Sequence, residues 1–366
     1  MGYLFSLLAF IISLLIAIII IPRILIIAHK LYLYDLPDER KIHSNPIPRI
    51  GGLSFFYCIL FTIFSMFIIF HLFYGAVEQY VYSNSYFLCA LLILHLGRMK
   101  DDLIGMRYRY KFFLQISASL LIVSSGLYIN NFYGLFGIEA INIWIGVPLT
   151  VLLIVFVINA MNLIDGIDGL SSGISIFALG VYGILFLLQD VWQNAILAFS
   201  TIGVLCVFFC YNVFGSVEKK HKLFMGDTGS MMLGLILSFL AIQYMYYSPG
   251  SIKLNNNNTL VVAISPIIIP ILDVLRVILS RIKNHKHLFT ADRCHIHHKL
   301  IKIGYSEIKT LIVLLGTTNG FYFFNFLMIP FLNTLTIFII DIVIWTSGNM
   351  YLSYLIRKKN VEAAIC

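Results

Sequence analysis

The chain has 366 residues, of which 60% are hydrophobic and only 11% charged, and its mean hydropathy is +0.92. A water-soluble domain needs far more charge than this, so that class is excluded; apolar runs of about 20 residues, the length of a bilayer-crossing helix, recur instead. The formal net charge of +8 raises the question of nucleic acid, which the placement of the charges answers below.

In chain order, the apolar windows predict about eleven spans. They cover 3–28, 52–73, 85–97, 111–130, 144–160, 170–188, 194–213, 229–247, 259–280, 310–331 and 334–356. The first run, Tyr3 to Ala28, is too long for a signal-peptide core and has no basic residue ahead of it, so it reads as a retained helix. Cys58, Cys89, Cys206, Cys210, Cys294 and Cys366 fall mostly inside apolar runs and form no CxxC pair. Neither a disulfide framework nor a thiolate metal site is indicated. The expectation is an all-α, polytopic membrane protein forming a single domain over 1–366.

Lys and Arg orient it. They cluster after the first window (Lys30, Arg40, Lys41, Arg49), after the third (Arg98, Lys100, Arg107, Arg109, with Lys111) and after the seventh (Lys219, Lys220, Lys222). The ninth is followed by Arg281, Lys283, Lys286, Arg293, Lys299, Lys302 and Lys309, and the tail carries Arg357, Lys358 and Lys359. The alternate connections contain Lys253 alone. By the positive-inside rule the basic loops and the C-terminus are cytoplasmic and the N-terminus is outside. The net charge is therefore topology, and no nucleic-acid partner is expected.

Nearly every unusual polar cluster falls on that cytoplasmic side. Asp101-Asp102 follows the third window; adjacent helical residues point about 100° apart, so the two carboxylates take different tasks, one near a metal, the other as a base or in an ion pair. A solvated charge pair is the plain alternative. Asn159-Ala-Met-Asn-Leu-Ile-Asp-Gly-Ile-Asp-Gly-Leu170 puts Asn159, Asn162, Asp165 and Asp168 at a membrane edge. Such groups are costly there and read as functional; without a basic neighbour they suit a hard cation such as Mg²⁺, or else make a polar turn.

Phe224-Met-Gly-Asp-Thr-Gly-Ser230 opens the eighth window, and the N–H groups of Thr228, Gly229 and Ser230 at a helix start suit a phosphate, with a cation bridging it to Asp227. The same residues would also cap the helix. Asp273 and Arg276 are spaced to pair, and Asp341 is expected to face another helix. In Asp292-Arg-Cys-His-Ile-His-His298 a helix would put His295 and His298 on one face and His297 off it. Zinc spacing is missing apart from Cys294, so hydrogen bonds to phosphate or proton relay suit these histidines better. Carboxylates, a divalent cation and phosphate donors at one membrane surface point to phosphoryl-type transfer from a soluble donor to a lipid-dissolved acceptor.

Five ordered segments then resemble one family, the polyprenyl-phosphate N-acetylhexosamine-1-phosphate transferases (glycosyltransferase 4 family). They are Asp35 to His43 with Pro46, Pro48, Arg49 and Gly51-Gly52; Asp101-Asp102 with Lys111 and Gln115; Asn159 to Leu170; Phe224 to Gly234; and Asp292 to His298. The resemblance implies a multi-helix membrane fold in the bacterial inner membrane. It also implies the reaction of a UDP-N-acetylhexosamine with undecaprenyl phosphate to give polyprenyl-diphospho-sugar and UMP, the first membrane step of a cell-surface glycan. By position it implies Asp101, Asp102 and Asp168 as catalytic acids, and Asp227 and Asn162 as holding Mg²⁺, which Mn²⁺ can replace. Asp165, Phe224 and Lys41 would meet the nucleotide, and Lys111, Arg293, His295, His297 and His298 the phosphates.

The His-Ile-His-His run resembles the branch that uses UDP-GlcNAc-like sugars. The alternative within the family is the phospho-MurNAc-pentapeptide transferase of peptidoglycan synthesis. Gly215 to Leu223 departs from the common pattern. A secondary transporter is the alternative from another class, but it predicts carboxylates near the bilayer centre and paired halves, whereas these acids crowd one face.

Overall fold

With no water in a bilayer core to satisfy backbone N–H and C=O groups, apolar runs must close their hydrogen bonds within themselves. The computed structural model, which describes residues 2–35, 46–74, 78–247, 258–285 and 295–365, accordingly has a helix at each predicted window. The helices are α1 (Gly2–Lys30), α2 (Leu53–Tyr74), α3 (Glu78–Ile104), α4 (Tyr108–Ser124), α5 (Ile143–Ile164), α6 (Leu170–Leu188) and α7 (Trp192–Val213). They continue as α8 (Gly226–Tyr247), α9 (Thr259–Ile264), α10 (Ile268–Lys283), α11 (Ile296–Ile303), α12 (Glu307–Met328) and α13 (Thr334–Ile365). Two short antiparallel strands, β1 (Tyr34–Asp35) and β2 (Ile47–Pro48), pair after α1.

Among the described residues nine helical stretches are long and apolar enough to cross a membrane. The protein is an all-α polytopic membrane protein. α3 and α4 stand outside that set of nine: α3 carries Arg98, Lys100, Asp101 and Asp102 in its last turns, and α4 is 17 residues long with Arg109 and Lys111 at its start. The predicted window 259–280 is one run interrupted at a 3-10 turn, Ser265–Ile267, between α9 and α10. Pro266 and Pro270 cannot donate to the helical ladder, which explains the break. α4 stops short of the predicted 130 because Gly126 turns left-handed at φ +87°.

α8 is the axis of the bundle. Every residue from Thr228 to Met245 is buried, with α3, α5 and α6 packed around it. Its crossing with α5 depends on Gly234, where a Cβ would stand 2.5 Å from the Ile158 Cα. Ile18, Phe61, Ile312 and Ile344 are more than a third exposed and form part of the outer apolar surface. Asp341 is fully buried and accepts from Asn325 Nδ2 at 2.8 Å, and the same amide donates to Ser265 Oγ at 2.9 Å. This ties α13 and α12 to the helix break, the helix-facing role expected of Asp341.

The polar helix ends gather on one side. His29 at the end of α1 meets the Lys220 carbonyl before α8 at 3.1 Å, and Arg49 before α2 donates to the Asp102 carbonyl of α3 at 2.9 Å. The segment entering α2 runs against the segment entering α8: Phe224 N donates to Pro48 O, Gly51 N to Phe224 O and Gly52 N to Met225 O, at 2.8–2.9 Å. A Cβ on Gly52 would lie 2.2 Å from the Gly229 amide nitrogen, so only glycine lets these two helix starts touch.

Candidate active site

The site is assembled from these helix ends. Asp101 and Asp102 follow each other on α3, so their carboxylates diverge, as the helical geometry requires. Asp101 turns to cations: Arg98 one turn back at 2.8 Å and Lys111 of α4 at 2.5 Å. Asp102 turns to α8, accepting from the amides of Asp227 and Thr228 at 3.3 and 3.2 Å and from the Thr228 hydroxyl at 2.6 Å. The expectation of a substrate phosphate on the first turn of α8 therefore needs correcting. That turn begins at Gly226, and the anion seated on it is the protein's own Asp102 carboxylate.

Asp227 lies where these elements meet. Its side chain is 40% accessible, whereas those of Asp101 and Arg98 are 5% and 0%. Lys111 Nζ stands 3.3 Å from it, Arg98 3.9 Å, and the Asn162 amide of α5 donates to it at 3.2 Å and to Ser230 Oγ at 2.9 Å. Arg98 also points at the Met231 sulfur. From the sequence Arg98 was one of several loop cations; its place three residues before Asp101 was the available signal. Asn159, by contrast, is spent on structure, exchanging amide hydrogen bonds with Gln115 at 2.7 and 3.4 Å.

The turn after α5 carries Asp165 and Asp168. Asp168 accepts from Lys222 at 2.6 Å and from Asn212 Nδ2 at 3.2 Å, while Asn212 Oδ1 takes the Gly169 amide at 2.7 Å. Sequence reasoning missed both partners, and no spacing links them, because Lys222 sits in the connection from Gly215 to Leu223. Asp165 is pushed up to about 8, by burial first and then by the neighbouring Asp168 and Asp227 carboxylates. Asp102, beyond the apolar part of α3, is pushed up to about 6, mainly by burial, with the hydrogen bonds from Thr228 pulling the other way.

The histidine run enters from α11. His295 is the residue before that helix, not part of it, so the shared helical face expected for His295 and His298 does not form. Instead the rings of His295 and His297 lie parallel, with centroids 6.0 Å apart, and those of His297 and His298 are 4.2 Å apart. His297 is 1% exposed, with neither ring nitrogen hydrogen-bonded, and burial pushes it down to about 3. Its ring rests on Gly166, where a Cβ would be 2.1 Å from Nε2. The run is thereby joined to the Asp165 turn. Asp273 of α10, expected to pair with Arg276, does so at 2.8 Å, and also holds His295 Nδ1 at 2.8 Å.

Phe224 is half-buried between β2 and α8. Lys41 and Arg293 lie outside the described residues, as do most of the Asp35 to His43 segment and Asp292. Among the described residues no group of three or more His, Cys, Asp or Glu side chains encloses a metal position. Mg²⁺ does not require one: it keeps waters and takes one or two protein oxygens together with substrate phosphates. The accessible Asp227 carboxylate beside the Asn162 carboxamide fits that requirement, the amide presenting its oxygen once turned over.

Comparison with known proteins follows the same chain of elements. Residues 84–245, from α3 through α8, match the model of glycosyl transferase family 4. The chain is 33% identical over 314 residues to the probable undecaprenyl-phosphate N-acetylglucosaminyl 1-phosphate transferase of Bacillus subtilis, covering 84% of this chain and 80% of the relative. It is 28% identical to the undecaprenyl-phosphate alpha-N-acetylglucosaminyl 1-phosphate transferase of Yersinia pestis, over 79% of this chain and 74% of that protein. To the decaprenyl-phosphate N-acetylglucosaminephosphotransferase of Mycobacterium leprae it is also 28% identical, over 79% and 75%.

Proposed function

The chain belongs to glycosyl transferase family 4, and from that footing we propose that it transfers N-acetylglucosamine-1-phosphate, or a related N-acetylhexosamine-1-phosphate, from a UDP-sugar to undecaprenyl phosphate. An oxygen of the lipid phosphate attacks the sugar-bearing phosphorus, the bond from that phosphorus to the bridging oxygen breaks, and UMP leaves with the bridging oxygen. The single observation that carries the reading is the accessible Asp227 carboxylate beside Lys111, with Asp101 held by Lys111 and Arg98 and Asp102 held by Thr228.

Transfer of this kind needs positioning and charge neutralisation more than covalent help. Lys111 meets the lipid phosphate, turning from Asp227 to its oxygens while Asp101 still holds it. Mg²⁺, with Mn²⁺ able to replace it, would be held by Asp227 and Asn162 and would neutralise charge on the donor diphosphate. Asp101 and Asp102 serve by fixing Lys111 and the first turn of α8, and Asp168 by anchoring the turn that presents Asp165 to the nucleotide. Phe224 and Lys41 lie on the nucleotide side, and Arg293, His295, His297 and His298 on the diphosphate side. We take 1–366 as a single domain with about eleven spans. The site faces the cytoplasm from the bacterial inner membrane, an orientation that the basic loops on its side support.

The test offers purified protein undecaprenyl phosphate and a panel of UDP-N-acetylhexosamines and reads UMP release. Transfer from UDP-GlcNAc or a close relative is expected. Product from UDP-MurNAc-pentapeptide alone would replace this reading with the peptidoglycan one.

A further inference from the structure

Asp273 is fully buried, and three donors converge on it. Its Oδ1 accepts from Arg276 at 2.8 Å and from the Ile296 amide, the first N–H of α11, at 3.2 Å; its Oδ2 faces His295 Nδ1 at 2.8 Å. Among the described residues nothing hydrogen-bonds to His295 Nε2. One carboxylate on α10 thus fixes the start of α11, the plane of the His295 ring and the nitrogen that carries its proton. A carboxylate only accepts, so Nδ1 must hold the hydrogen, and Nε2 is the nitrogen left without a partner among the described residues. The consequence extends further, because the His295 ring is parallel to His297, and His297 rests on Gly166 beside Asp165.

We propose that Asp273 is a positioning residue for the transfer reaction: it holds the Nδ1–H of His295, so that Nε2 is the nitrogen that takes up a proton when the donor diphosphate binds and donates it in a hydrogen bond to a phosphate oxygen. This rests on the function proposed above for the reaction itself, but not for the geometry. Arg276 completes the arrangement by balancing the buried charge on the oxygen that His295 does not use. An Asp273–Arg276 ion pair alone would satisfy the spacing seen in the sequence; the contacts to His295 and Ile296 are what turn it into a support for the histidine run.

The test uses the full-length protein labelled with ¹⁵N-histidine, at mildly alkaline pH, together with steady-state UMP release. The His295 signals are those lost in His295→Gln. In wild type they are expected to report hydrogen on Nδ1, and in Asp273→Asn, whose amide NH₂ can face the ring, hydrogen on Nε2. In kinetics Asp273→Asn should lower kcat about tenfold or more with little change in KM for the UDP-sugar, since the ring keeps an Nε2 donor for binding but loses the positive charge that the Asp273 carboxylate supports during transfer. Asp273→Glu should recover part of the loss, and Asp273→Asn/His295→Gln should be no slower than His295→Gln alone.

An unchanged tautomer in Asp273→Asn, or losses that multiply in the double variant, would overturn the proposal. If Asp273→Asn does not accumulate in membranes, Asp273→Glu carries the comparison, and loss of its Nδ1-bound hydrogen overturns the idea equally. A wild type that transfers from no UDP-sugar would fail the reaction reading, while the tautomer comparison still decides what Asp273 does.

Discussion

Asp102 caps α8 from a different helix: its carboxylate takes the Thr228 amide at 3.2 Å and the Thr228 hydroxyl at 2.6 Å. A helix start is electropositive and leaves N–H groups unpaired, so a buried carboxylate there is both satisfied and useful. The residue that α8 must present, Asp227, precedes Thr228 directly. The direction of the central helix and the aim of its accessible carboxylate are thus set from α3.

Thr228→Val tests that link with little change of shape. It removes the hydroxyl from a buried charged acceptor, which costs about 1.5–3 kcal/mol. Thermal unfolding in detergent should shift down, and UMP release should fall with it because Asp227 loses its register. Asp102→Asn should abolish transfer. A Thr228→Val protein with wild-type melting and turnover would show that the contact neither holds α8 nor matters to the site.

Asp227→Ala should abolish transfer without unfolding the protein, because the lost carboxylate is 40% accessible and Arg98 keeps Asp101 as a partner at 2.8 Å. Asn162→Ala should retain some activity but demand more Mg²⁺, having lost one of two proposed oxygens. Excess chelator should stop UMP release, and Mg²⁺ or Mn²⁺ should restore it. Activity undiminished by chelator would remove the metal from the mechanism.

Asp165 makes a pH prediction with a definite sign. Its carboxyl is pushed up to about 8 from an ordinary 3.8. Between those values the folded protein holds a proton that the unfolded chain has released, so unfolding releases it and rising pH favours unfolding. The stability this group contributes is complete below its ordinary value and is lost as pH climbs through about 8. Asp165→Asn removes that dependence, so its melting temperature should gain on wild type steadily from mildly acid to mildly alkaline pH. A gap that stays constant with pH would contradict the raised value.

What could be read in the sequence follows the range of the forces involved. Apolar length and charge asymmetry are local, and they located the helices and the side on which the polar clusters gather. Short spacings were legible too: Asp101 and Asp102 diverge, and Asp273 meets Arg276. The contacts that organise the site are long-range, and no periodicity encodes them. Asp102 to Thr228, Lys222 to Asp168 and Asp273 to His295 each join separate elements. The helix break at Ser265–Ile267 was readable from Pro266 and Pro270, yet hydropathy averages across it. The face shared by the histidines depends on where the helix begins, which spacing does not give: α11 starts at Ile296, and the backbone of His295 is extended.

Gly166 gives the sharpest packing test. A Cβ there would stand 2.1 Å from His297 Nε2 and 2.5 Å from Cε1, closer than any real contact, with a ring that is 1% exposed and has nowhere to retreat. Gly166→Ala should therefore push α11 away from the Asp165 turn and reduce transfer severely, although alanine adds one methyl group and no charge. Truncating the obstructing ring should relieve the overlap. In the Gly166→Ala background, His297→Ala should raise melting temperature, whereas in wild type the same truncation should lower it by opening a cavity. Opposite signs in the two backgrounds would establish the contact, because a histidine acting only through substrate has no reason to change sign. Truncation that lowers stability equally in both would mean that Gly166 and His297 do not press on each other.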